Sequence, residues 1–435
     1  MTTSPRIRAV AETELAAFAH VGQHAFNSNW PADEQLALDR QVFEPERSLA
    51  ALDGDQIVGT ALAYSFGLTV PGGSVPAAGI SAVAVLPTHR RRGILSALMR
   101  RQLADIAAGT EPVAALFASE AAIYGRFGYG SAAEQYSFSI RRGEGQLRPL
   151  PAAAGNLAGS STVPEASTSA GRSAPVTLRL ADPQDAVADL KMVYEAIRPN
   201  RPGMLTRTDS WWKVLLADPE FLRNGTGPVR CVIAADTSGP RGYALYAARP
   251  DWGSDGMPAQ VLIVRDLIAS DPEAAAALWS DLLSRDLVAE IWTRMRPADD
   301  PLLRLLTDPR RARTRVSDGL WIRLVDVQAA LTRRRYACAV DVVIDVSDDL
   351  LPHNAGRWRL TAGGPADQAA PTCERTRAGA DISLPVSALG AAYLGGTRLG
   401  TLASVGQVHE HRPGALLALS AAMWWDPAPW CPNMF

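Results

Sequence analysis

Residues 80–130 read ISAVAVLPTHRRRGILSALMRRQLADIAAGTEPVAALFASEAAIYGRFGYG. An apolar run, stopped by Pro87, predicts a buried strand. Arg90, Arg91, Arg92 and Gly93 then form a basic turn that opens a helix, whose apolar residues Ile94, Leu95, Leu98, Leu103 and Ile106 recur at helical spacing. PVAALFAS predicts a second strand and EAAIYGRF a short helix. A helix start presents unpaired N–H groups and a partial positive charge. Three arginines added there, with a glycine that lets a ligand approach the backbone, suit a pyrophosphate. The residues alone fit a solvated basic turn that caps a helix at least as well.

Outward from this unit, WPADEQLALDRQVF predicts a helix and RSLAALDGDQIVGTALAYSF two strands joined at Asp53-Gly54. YSFSI is expected to be the last strand of this block. Strands interleaved with helices make residues 1–150 an α/β domain with some parallel pairing. Residues 151–176, rich in Ala, Ser, Gly, Thr and Pro, are expected to form a flexible linker or insertion. Residues 177–298 repeat the order of elements: strands at GYALYAARP and VLIVRDLIA, a helix at DPEAAAALWSDLLSRD with Asp271 as N-cap and Pro272 at its first position, then a strand at LVAEIWTRMR. That order suggests an internal duplication whose second copy lacks the basic turn and is structural. Residues 299–435 open on a strand and helix at LWIRLVDVQAALTRRRY and read as an α+β domain.

Composition narrows the function classes. A chain of 435 residues exceeds one core, and 47% hydrophobic with 20% charged residues is ordinary for a globular protein. A net charge of −2 argues against a nucleic-acid partner. Neither a secretory signal nor an apolar run of about 20 residues is present, so a cytoplasmic location and no membrane span are expected. The four cysteines include no CxxC pair, and no Cys/His cluster or HExxH predicts a metal. His20 and His24, and His409 and His411, are the nearest approach to a metal pair.

The stretches VAVLPTHRRRGIL, ASE and IYGRFGYG resemble the GCN5-related N-acetyltransferases (GNAT). With a second, degenerate GNAT-like block, the strand–helix LWIRLVDV and an aromatic C-terminus, the chain resembles the enhanced intracellular survival (Eis) family. Leu95 departs from the small residue usual at the end of the pyrophosphate motif. The resemblance implies tandem GNAT-like domains followed by a sterol-carrier-protein-like domain, acetyl-CoA as co-substrate, an amine acceptor of the aminoglycoside, polyamine or lysine side-chain kind, and a homohexamer. It implies cofactor contacts from Val83, Ala84, Val85, Arg91, Arg92, Gly93, Ile94, Leu95, Ser96, Ser119 and Glu120. It makes Tyr124 the general acid, and the carboxylate of Phe435 the general base. Without it, the apolar end WWDPAPWCPNMF would be read as a tail covering a hydrophobic patch. Phe26 and Trp30 are candidates on the substrate side, with Asp33, Glu34 and Glu410 as weaker ones. The alternative function is a non-catalytic scaffold that binds CoA or an apolar ligand in the third domain.

Overall fold

The computed structural model describes residues 6–28, 32–150, 175–365 and 369–435. Trp30 and nearly all of the 151–176 insertion lie outside them. Two seven-stranded sheets and one five-stranded sheet form the framework of the described residues. The first runs, by residue range, Arg6–Ala9, Ser48–Asp53, Gln56–Val70, Gly73–Val85, Val113–Phe117, Leu320–Leu324, Gly130–Ser131. Its parallel pair is Gly73–Val85 and Val113–Phe117, joined by the helix Ile94–Ala107, which buries Leu98, Met99, Leu103 and Ile106 on the sheet.

The second sheet repeats this plan. Gln260–Ala269 and Val288–Arg296 are its parallel pair, joined by the helix Pro272–Ser284. Asp271 caps that helix, accepting from the Ala274 amide at 2.9 Å, as its position before Pro272 predicted.

Three strands lie in sheets that the expected block boundaries do not assign them to; one, Arg315–Asp318 of the expected third block, sits at the edge of the second sheet. Glu134–Arg141, which contains YSFSI, pairs with Val288–Arg296 in the second sheet. Leu320–Leu324, expected to open the third block, pairs with Val113–Phe117 in the first. The two duplicated units thus exchange their closing strands. Local sequence carries strand periodicity but not the partner, and these apolar strands fit either sheet.

The third domain has the sheet order Thr372–Arg375, Gly356–Ala362, Val340–Ser347, Ile382–Pro385, His409–Glu410, covered by the helices Val386–Ala392 and Ala415–Met423. Its core is continuous with the first sheet's: Val75, Val113 and Ile322 share one apolar cluster with Leu360, Leu389 and Met423. No helix of the described residues is long and apolar enough to cross a membrane.

Candidate active site

The parallel pairing of Gly73–Val85 with Val113–Phe117 stops at Ile80 and Leu116. Beyond it the strands diverge. Gly73–Val85 carries a bulge there, where its register against Gln56–Val70 shifts and Ala82 takes a φ of 48°. Residues 83–85 keep Gln56–Val70 on one side and, among the described residues, have no strand on the other.

A cleft of about 710 Å³ opens at this divergence. It is lined by Val83, Ala84, Val85, Arg91, Gly93, Ile94, Leu95, Ser96, Ser119, Glu120 and Tyr124, together with Phe26. Ten of the eleven expected cofactor contacts therefore share one wall system. Arg92 does not line it; its guanidinium is 3.8 Å from Asp53. Arg90 does line it, and donates to the Ala25 carbonyl (3.3 Å). Gly93 has a φ of 79°, and a Cβ there would meet nothing within 4 Å, so the backbone at the helix start is open to the cleft. Ala25, Asn27, His89, Ile123 and Arg126 also border the cleft without having been expected there. They come from loop and helix ends with no motif spacing of their own.

Tyr124 ends the short helix Ala121–Tyr124 and is 5% exposed. Burial raises the pKa of its phenol; the hydrogen bond with the Ser119 side chain opposes the rise and the charge of Glu120 adds to it. The phenol therefore holds its proton at neutral pH.

The chain terminus reaches the same divergence. The Ser81 hydroxyl donates to the backbone oxygen of Phe435 at 3.0 Å. The Phe435 ring packs against Phe66 (centroids 5.1 Å apart) and Phe117 (5.5 Å). Phe66 continues into an aromatic wall with Trp211 and Tyr64. Ser81 was not among the expected site residues; its hydroxyl stands alone in the apolar run GISAVAV. Glu410 does not line the cleft; its carboxylate accepts from the Leu416 amide at 2.9 Å in the first turn of helix Ala415–Met423.

Three family matches tile the chain: acetyltransferase (GNAT) domains over residues 6–132 and 203–324, and a sterol carrier protein domain over 327–432. An uncharacterized N-acetyltransferase of Streptomyces avermitilis is 44% identical over 94% of this chain and 95% of its own. The N-acetyltransferase Eis of Mycobacterium tuberculosis is 36% identical over 85% of this chain and 83% of its own. The crystal structure of Eis1 from Mycobacterium abscessus superposes with a TM-score of 0.77, at 34% identity, over 99% of this chain and all of that one. With a cleft at the splayed strands, a basic helix start and this full-length similarity, the chain belongs to the Eis family of GNAT N-acetyltransferases.

Proposed function

We propose that the protein transfers an acetyl group from acetyl-CoA to a primary amine by direct attack, with Tyr124 as general acid and the Phe435 carboxylate as general base. The observation that carries this reading is the terminal carboxylate hydrogen-bonded to Ser81 at the point where the two strands part, beside the cleft that holds Tyr124.

The residues fit the co-substrate. The start of the 14-residue helix, with Arg90 and Arg91, suits a pyrophosphate, and the unpaired edge of 83–85 suits the amides of a pantetheine arm. When bound, acetyl-CoA supplies the acyl thioester. The carboxylate of Phe435, whose ring is packed on Phe66 and Phe117, takes a proton from the substrate's ammonium group, and the neutral amine so formed attacks the thioester carbonyl. Tyr124 gives its proton to the departing sulfur. An amine is supported by the aromatic wall itself: Tyr64, joined to Trp211 and Phe66, lies in the field of Asp39 and Glu44, and burial followed by those two charges raises its pKa. Aromatic faces beside carboxylates stabilise a cation.

Thiol release from acetyl-CoA, measured with aminoglycosides, polyamines and lysine peptides, tests the reading. Turnover with at least one class is expected. Acetyl-CoA binding without release for any of them would make the chain a scaffold. Appending one glycine after Phe435 is expected to lower turnover at least about 100-fold, because it removes the carboxylate from its place; undiminished turnover would remove Phe435 from the mechanism.

A further inference from the structure

The second GNAT domain has a splayed strand pair of its own. Its parallel pairing ends at Val264 and Thr293, and a bulge at Arg265 shifts the register against Gly239–Arg249, as at Ala82 in the first domain. Where the first domain has its arginine turn, the second has Ser270 and the N-cap Asp271, a carboxylate at the helix start that repels phosphate.

This second divergence is filled by the chain's own tail. Trp430, 5% exposed, donates its indole N–H to the Met295 carbonyl (2.5 Å) on one lip, and its ring lies in an apolar cluster with Ile268 of the other. Arg296 bridges the lips, donating to the Leu267 carbonyl at 2.6 Å, with its guanidinium 5.2 Å from the Trp430 ring. Asn433 is held by Arg207, whose Nη2 and Nε donate to Oδ1 at 3.0 and 3.3 Å. Arg207 is in turn stacked on Tyr194 (3.8 Å) and Trp212 (4.7 Å), and lies 3.8 Å from Asp266.

The residues just before Arg207 also fasten this socket to the first domain. Gly203 and Thr206 donate their amides to the Thr69 and Gly67 carbonyls, both at 2.8 Å, on the strand that carries Phe66. A Cβ at Gly203 would come within 2.9 Å of the Trp430 backbone, so the tail lies directly on this segment. The same tail therefore occupies the second splay at Trp430 and reaches the first at Phe435, with Pro432 limiting its freedom between them.

We propose that the second GNAT domain uses its splayed strands as a socket for the C-terminal tail, and that Arg207, through Asn433, is the positioning residue that sets the Phe435 carboxylate at Ser81. The proposal rests on the reading of that carboxylate as the base. The degenerate domain then serves catalysis without binding a cofactor, by rigid placement of a proton acceptor that has no side chain to orient it.

The test compares Asn433→Ala, Asn433→Asp, Arg207→Met and the glycine-extended chain, each as the full-length protein. A charge-assisted hydrogen bond of roughly 1.5–3 kcal/mol corresponds to a loss of about 10–150-fold. Asn433→Ala is expected to lower kcat by that factor with KM for acetyl-CoA unchanged. Asn433→Asp, which keeps an acceptor for Arg207, should restore kcat to within a few-fold. Hydrogen exchange at the Met434 and Phe435 amides should accelerate in Asn433→Ala and not in Asn433→Asp. Should Arg207→Met fail to fold, the two Asn433 variants decide alone. Unchanged kcat and unchanged exchange in Asn433→Ala overturn the socket, even if the extension abolishes turnover and so upholds the base. Faster tail exchange together with full turnover in the extended chain upholds the socket and removes the base.

Discussion

At Gly79 a Cβ would sit 2.5 Å from the Phe66 ring and 3.1 Å from the Phe435 ring. The strand has a glycine there because the Phe66 ring, and beyond it the Phe435 ring of the tail, lie on its backbone. Gly79→Ala must push both rings away from the divergence. It is expected to cost about 1–3 kcal/mol of stability by overpacking and to lower kcat roughly 10–100-fold by displacing the carboxylate; thermal unfolding and steady-state kinetics check the two parts. Tyr124 carries the second prediction at this scale. Tyr124→Phe should lower kcat by about 10²–10⁴-fold while acetyl-CoA affinity holds. The sign of its pH dependence follows from burial: the folded-state pKa is raised, so the proton needed for donation is present throughout the neutral range. Loss of activity attributable to this group belongs above the ordinary tyrosine pKa of about 10 and disappears in Tyr124→Phe. A pH–rate profile of the two proteins decides it.

Between elements, helix Val386–Ala392 lies close on the first sheet. A Cβ on Gly390 would lie 2.2 Å from the Ile322 carbonyl oxygen, and one on Gly130 would lie 2.0 Å from that of Ser387. Both obstacles are backbone, which cannot swing aside as a side chain can. Gly390→Ala is therefore expected to cost about 3 kcal/mol, the upper end for overpacking, measured by chemical denaturation. The run SALGAAYLGG shows by itself only a helix with small residues on its packing face. The strand Leu320–Leu324, exchanged into the first sheet, explains which neighbour requires them.

Across the whole molecule, a buried ion pair ties the third domain to the catalytic one. Arg323, in the first sheet, donates to both carboxylate oxygens of Asp348 at 2.7 Å, and Asn354 donates to the same carboxylate at 3.0 Å. Both charges are sealed from water. Removing one leaves the other buried and unpaired, so Asp348→Ala is expected to cost about 3–5 kcal/mol in denaturant unfolding. Turnover should fall with it well below the unfolding midpoint, since the tail that carries Phe435 leaves from this domain. Stability loss with full turnover of the remaining folded protein would show that the tail is held without this junction.

Local signals in the chain determined the repeating strand–helix order, the basic turn at 90–93, the cap at Asp271 and Tyr124 on its short helix, because each depends on residues a few positions apart. The apolar character of residues 424–435 also announced a buried tail. Only the tertiary structure decided which strands close which sheet, which arginine of the turn faces the cleft, and where the tail goes. A strand of period two fits either of two similar sheets. The contacts from Phe435 to Ser81 and from Asn433 to Arg207 join residues hundreds of positions apart, through hydrogen bonds that no local pattern encodes.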